Sequence, residues 1–322
     1  MKCQDAEEKR LPYPWLWTLE RDSKFKFTNK EFSLDTEINA EGFQGKLFSI
    51  KKNEGEFRIL FLGDSFTFGI GSPRDKSFVN VVESYLSEIK TTKQIQIMNA
   101  GIPGSDPIFY LQILKRQMLK YKPDLVVMMI NSSDVIDIAR RGGNERFDDF
   151  GNMKPRERPW YYSLYTNLHL FRAVLSGVLH YDFNLMSPQV FKERTNMSIE
   201  LLTKCGVELE ALAKEENFKK LIIFHPYPID IMNKHVPHAL LTVKDKLKAS
   251  GVESFDITPD MASRISAKRL EDLYWPIDLH FNQEGYKEIG ISILKLMAQT
   301  NVLPIDIKTK LKAEISSFAN EQ

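Results

Sequence analysis

Five short apolar runs punctuate this chain, at 57–62, 94–98, 124–130, 220–224 and, more weakly, 252–257, and helical stripes separate them. One stripe is Phe78, Val82, Tyr85, Leu86, Ile89; another is Ile108, Leu111, Leu114, Met118. Ile199, Leu202, Leu209 and Leu212 make a third, and Tyr286, Ile289, Ile293 and Leu296 the last, with Asn282 as its N-cap. Runs too short to be helices, alternating with stripes of period 3.6, predict parallel strands linked by helical crossovers. A parallel sheet needs both faces covered. The fold class is therefore α/β, with helices on both faces of a central parallel sheet of about five strands.

The most informative stretch is RILFLGDSFTFGIG, residues 58–71. Its buried strand stops at Gly63-Asp64-Ser65 and enters a segment able to start a helix. A serine just past the carboxyl end of a buried strand sits at the mouth of the sheet, where its hydroxyl meets a ligand. Gly63 is expected to allow a sharp turn, and Asp64 to accept backbone N–H groups within it. Taken alone, the stretch is equally an ordinary strand-turn-helix with a serine cap.

Acyl transfer by a serine also requires a base, a group that orients the base, and donors for the oxyanion. Asp278-Leu279-His280 precedes the last helix, on a loop that returns to the Ser65 rim. In an extended turn the i, i+2 spacing puts both side chains on one side of the backbone. After the 94–98 strand, residues 99–106 read NAGIPGSD, a glycine-rich loop that lets backbone N–H groups approach a ligand. After the 124–130 strand, Asn131-Ser132-Ser133-Asp134 clusters short polar side chains. His225 in FHPYP is a turn histidine or a rim contact. His235 and His238 are spaced i, i+3 but lack acidic or cysteine partners, so no metal site is assigned. His169 and His180 are surface or packing residues.

In order, GDSF at 63–66, the 99–104 loop, the 131–134 loop and Asp278/His280 resemble the four motif blocks of the SGNH/GDSL hydrolases. The resemblance covers roughly residues 39–300. It implies a flavodoxin-like three-layer α/β/α sandwich and esterase, lipase, thioesterase or O-acetylesterase chemistry without cofactor or metal. By position, Ser65 becomes the nucleophile, His280 the general base and Asp278 its orienting carboxylate, with the Ser65 and Gly104 N–H groups in the oxyanion hole. The third block departs from the family's Gly-x-Asn-Asp: serine stands where the oxyanion asparagine is expected. Ser133 donates through its hydroxyl, Asn131 swings in from two residues earlier, or the donor is missing. Asp-x-His rather than Asp-x-x-His resembles the branch that handles acetyl groups on envelope polysaccharides. The expected substrate is accordingly an O-acetylated carbohydrate, with longer acyl chains or non-catalytic glycan binding as alternatives.

The remaining expectations concern organisation. Residues 1–56 read as a lead-in packed on the core, with Pro12, Pro14, Trp15 and Trp17 as anchors and Phe25, Phe27, Phe32 and Leu34 in short edge strands. The hydrolase domain spans 57–300. An aromatic insertion at 137–196 is a lid, a substrate wall or a stabilising add-on. The tail is 301–322, and from Asp306 it reads as a polar surface helix. Lysine and arginine number 44 against 43 acidic residues, a net charge of +1, which gives no reason to expect nucleic acid as a partner. Two cysteines exclude a disulfide framework, and no run approaches the ~20 apolar residues of a membrane span. The resemblance suggests an exported or cell-envelope location, and the residues themselves leave the cytoplasm open.

Overall fold

A computed structural model describes residues 19–149, 153–154, 159–182, 185–265 and 267–318, together with a small antiparallel ladder pairing Pro12–Tyr13 with Leu16–Trp17. The proposed anchors Pro14 and Trp15 lie outside the described residues, as do Phe150, Arg156, Arg158 and Phe183 of the insertion. The strands are β1 (Lys24–Thr28), β2 (Ser33–Glu37), β3 (Glu56–Gly63), β4 (Gln94–Gly101), β5 (Leu125–Ile130), β6 (Lys219–Phe224) and β7 (Phe255–Asp256). β1 and β2 form an antiparallel hairpin; the other five make a parallel sheet in the order β4-β3-β5-β6-β7. The chain reverses direction of growth between β3 and β5. In a doubly wound sheet that switch point is where a crevice opens at the carboxyl ends.

Alternation along the strands sorts the core into two layers. Leu60, Leu62, Met98, Ala100, Val126, Met128, Ile130, Ile222 and Phe224 face α3 (Pro107–Ile113), α4 (Ser132–Arg141), α5 (Pro188–Glu215) and α6 (His238–Ala249). Ile59, Phe61, Ile97, Leu125, Val127, Met129, Leu221 and Ile223 face α2 (Phe78–Glu88), α7 (Gln283–Gln299) and α8 (Ile305–Phe318). Full burial of one large apolar side chain in such a layer is worth about 1.5–3 kcal/mol. The three-layer flavodoxin-like sandwich expected from the sequence is present.

Three details differ from the sequence reading. The 252–257 run yields a strand of two residues, because Val252 packs in one helical layer while only Phe255 and Asp256 reach the β6 ladder. The tail is amphipathic rather than a polar surface helix: Ile307 and Leu311, one turn apart, are buried against the α7 layer. The insertion is shorter than expected, since Pro188 opens α5 with Ser187 as its N-cap, so 188–196 belong to a crossover helix. The apolar side chains of its helical part are mostly open. Leu175 is buried, but Leu168, Leu170 and Val178 are exposed and Trp160 is 86% accessible.

Part of the lead-in contributes to the core. Phe43 and Phe48 enter the layer of Leu60 and Leu62, while Leu19, Phe32 and Ile38 form a separate cluster with Phe68 and Ile70.

Candidate active site

Strand β3 delivers Ser65 to the switch point. The reason for glycine at 63 is proximity rather than the sharp turn anticipated: it is the last strand residue, and a Cβ there would lie 1.9 Å from Thr67 Oγ1. Its register partner Gly101 is equally constrained, with 2.4 Å from a would-be Cβ to the Phe68 backbone nitrogen. Two side-chain-free positions side by side let the four-residue helix α1 (Ser65–Phe68) sit directly on the strand ends. Asp64 caps that helix, accepting from the Phe66 N–H at 2.9 Å. As the first residue of α1, Ser65 keeps a backbone N–H that no intrahelical carbonyl accepts.

Ser65, His280 and Asp278 come together. The Ser65 Oγ lies 2.8 Å from His280 Nε2, and His280 Nδ1 pairs with Asp278 Oδ1. With the carboxylate accepting at Nδ1–H, Nε2 is the acceptor for the serine proton. None of the three is fully buried, and the His280 and Asp278 side chains each keep 20% of their surface accessible, so the group opens to solvent. The ring of Phe66 packs at a tilt against that of His280, centroids 4.7 Å apart, and limits its motion. Burial raises the Asp278 pKa, but hydrogen bonds from His280 and Asn29 and the charge of His280 outweigh it, leaving the carboxyl below its ordinary range. The Asp-x-His stretch is not extended as expected. Leu279 takes a left-handed φ of +68°, and its N–H donates to the Trp275 carbonyl at 2.7 Å, closing a tight loop. Asp278 and His280 therefore meet across a turn.

The second loop is held rigidly. Ser105 Oγ donates to the Ile102 carbonyl at 2.6 Å, and buried Asp106 caps α3 while binding Arg146 through both oxygens at 2.5 and 2.6 Å. Burial pushes the Asp106 carboxyl up; the Arg146 guanidinium pulls it down further, to a net lowering. Between these anchors Gly104 is exposed with φ +71°, a conformation glycine adopts without penalty.

The third loop answers the question the altered block raised. Asn131 is fully buried, its Oδ1 accepting the Ser133 N–H (2.8 Å) and the Ser133 Oγ–H (2.7 Å). Those bonds fix the amide orientation, so Nδ2 donates to Asp64 Oδ2 at 2.9 Å and to His225 Nε2 at 3.2 Å. For Asn131 to swing toward an oxyanion, two buried hydrogen bonds would break, at a cost of roughly 1–3 kcal/mol for each group left unsatisfied. It is a cap and a strand-end tie. Ser133 is half-buried at the first turn of α4. His225 is wholly buried, 5.1 Å from the Phe66 ring, and burial pushes its pKa down to about 4. It is a support beneath the site, neither turn histidine nor rim contact.

The sequence reading missed Asn29 and Glu31, in the hairpin turn between β1 and β2. Asn29 Nδ2 donates to Asp278 Oδ2 at 2.9 Å; Glu31 accepts the Ile277 and Asp278 N–H groups at 3.0 and 2.7 Å. A polar turn lying 249 positions from its partner gives no periodic signal.

Among the described residues no group of three His, Cys, Asp or Glu side chains is placed to hold a metal ion, and no helix is long and apolar enough to cross a membrane.

Comparison with known proteins gives a match to the family model described as GDSL-like lipase/acylhydrolase over residues 59–293. No curated protein matches the chain. Similar solved structures include a two-domain esterase active on acetylated mannans, at 16% identity and TM-score 0.45 over 79% of this chain and 50% of that one. This chain thus spans about half the length of that relative. A lipase/acylhydrolase from Enterococcus faecalis shares 16% identity over 77% of this chain and 99% of its own, with TM-score 0.43. A catalytic mutant of an acetylxylan esterase from Geobacillus stearothermophilus shares 18% identity over 76% and 95%, with TM-score 0.44.

Proposed function

Because this chain belongs to the GDSL-like lipase/acylhydrolase family and carries a GDSL-type ester hydrolase domain, we propose that it is a serine esterase working through Ser65, His280 and Asp278, with O-acetyl groups on carbohydrate as substrate. The observation that carries the reading is the 2.8 Å contact between Ser65 Oγ and His280 Nε2, with Asp278 on the far side of the imidazole. His280 takes the hydroxyl proton as Ser65 Oγ attacks the acyl carbonyl, and returns it to the departing alcohol oxygen. Water then enters by the same route, frees the carboxylic acid and restores the serine. Asp278 keeps the Nδ1–H tautomer and stabilises the imidazolium. The N–H groups of Ser65 and Gly104 serve the oxyanion, and Ser133, once its hydroxyl turns away from Asn131 Oδ1, supplies a hydroxyl where the family places an amide. With that weaker third donor, catalysis is slower than an asparagine would give, by an amount bounded by the about 2.7–4 kcal/mol that losing such a donor costs elsewhere. The carbohydrate O-acetyl substrate rests on the Asp-x-His spacing.

Fluorophosphonate labelling of the purified protein tests the chemistry. Wild type is expected to label, and Ser65→Ala and His280→Ala are expected not to; equal labelling of Ser65→Ala would sink the assignment. A second reading, a lipase or thioesterase, is favoured by the exposed apolar side chains of 160–179, with Trp160 at 86% and Leu170 at 78% accessibility. Rates on p-nitrophenyl acetate and octanoate separate the two: a strong rise with chain length selects the second.

A further inference from the structure

Asn29 has its orientation fixed from both ends. Its Oδ1 accepts the backbone N–H groups of Glu31 at 2.8 Å and Phe32 at 2.9 Å, so its amide nitrogen is the atom that faces Asp278 Oδ2, 2.9 Å away. Asp278 thus uses one oxygen for His280 and the other for Asn29. Glu31, two residues on, grips the backbone of the same loop through both its oxygens. The turn itself is locked: Phe32 packs against Trp275 with ring centroids 5.3 Å apart, and Trp275 Nε1 donates to the Gly71 carbonyl at 2.7 Å. The Trp275 N–H in turn donates to the His280 carbonyl at 3.0 Å. Hairpin turn, acid-base loop and the strand-end segment after Ser65 form one packed unit.

We propose that Asn29, assisted by Glu31, is a positioning residue of the triad: the β1–β2 turn holds the Asp278 carboxylate in the rotamer from which it orients His280. A carboxylate on a loop with a left-handed residue at its centre has no helix or strand to fix it. Without the Asn29 donor its free oxygen turns to water and the rotamer is lost. Outer partners that orient a ligating side chain cost about 10–100-fold when removed from metal sites, and a loss of that order is expected here. The inference rests on the serine-esterase reading, but the hydrogen bond it concerns is observable without turnover.

Asn29→Asp is the decisive substitution. It keeps an Oδ oxygen for the Glu31 and Phe32 N–H groups, so the turn stays capped, but replaces the donor to Asp278 with a carboxylate. Three measurements are made on wild type, Asn29→Asp, Asn29→Ala and Glu31→Gln: melting temperature, kcat and KM on p-nitrophenyl acetate, and the downfield proton NMR signal of His280 Nδ1–H. For Asn29→Asp the expectation is a kcat lower by about 10–100-fold with KM within about threefold, and a weakened or shifted Nδ1–H signal. Asn29→Ala is expected to show the same kinetic loss with a lower melting temperature, and Glu31→Gln a smaller loss of the same kind. Unchanged kcat and an unchanged Nδ1–H signal in folded Asn29→Asp, or in folded Asn29→Ala if the first does not fold, would overturn the proposal. If wild type and Ser65→Ala are equally inert on esters while the Nδ1–H signal still changes in Asn29→Asp, the positioning role stands and the esterase reading fails.

Discussion

The side-chain amide of Asn131 donates to the Asp64 carboxylate at 2.9 Å, joining the loop after β5 to the loop that carries Ser65. Both residues are buried, and Asp64 also caps α1 through the Phe66 N–H. This pair ties the two strand-end loops together at the switch point of the sheet, and so sets the position of Ser65.

Truncating one side of that pair leaves a buried polar partner unsatisfied. Asp64→Ala and Asn131→Ala are each expected to lower stability by about 2–4 kcal/mol. Urea unfolding of the two single variants and the double variant checks this, with a coupling of about 0.5–3 kcal/mol expected between them. Additive losses would mean the pair is not a functional unit.

Asp278→Asn retains the shape of the loop but turns an acceptor-only group into an amide. The kcat on p-nitrophenyl acetate is expected to fall by about 10³–10⁴-fold, following the effect of the same change in a serine protease triad. The amide keeps an oxygen that can accept from Asn29 Nδ2, so the melting temperature is expected to stay close to that of wild type. A fall of less than tenfold would show that His280 does not depend on this carboxylate.

Leu279, at φ +68° between Asp278 and His280, sits where an L-residue pays about 1–2 kcal/mol. Leu279→Gly relieves that strain while adding unfolded-state entropy, so stability is expected to change by less than about 1 kcal/mol. Leu279→Val, branched at Cβ, is expected to destabilise and to lower kcat by displacing Asp278 from His280. Thermal melts with parallel ester assays decide this; a valine variant that behaves like the glycine one would remove the backbone from the account.

His225 carries a pH signature. Burial depresses its pKa to about 4, whereas the unfolded chain titrates near the ordinary histidine value of 6.5. Above that range neither state is protonated and the stabilisation is fully present. As pH falls from about 6.5 toward 4 the unfolded state takes up a proton that the folded state refuses, and stability is lost by at most about 1.4 kcal/mol per pH unit. His225→Gln keeps an acceptor for Asn131 but does not titrate. The stability gap between wild type and this variant, measured in urea from pH 7.5 to 4.5, is expected to move against wild type as the solution is acidified. Parallel curves would contradict it.

Much of this architecture is written locally. A period of two in Ile59–Leu62 and Leu125–Ile130 puts alternate side chains into the two helical layers, and a period of 3.6 in the 286–296 segment gives a helix its buried face. Those periods are properties of neighbouring residues, so the sheet, its crossovers, and the rim holding Ser65 and His280 follow from the chain read in order. The tertiary structure alone decided which partner each polar side chain takes. Asn131 was one of two candidate third donors to the oxyanion until the approach of Asp64 and His225 filled both of its amide protons. Gly63 read as a turn glycine until Thr67 was found against it. Asn29 carries no signal in the sequence, and only a chain folded back across a separation of 249 positions sets it against Asp278. Apolar burial is non-directional and is encoded as a pattern, while a hydrogen bond needs two groups within about 3 Å in the right orientation, which only the closed fold supplies.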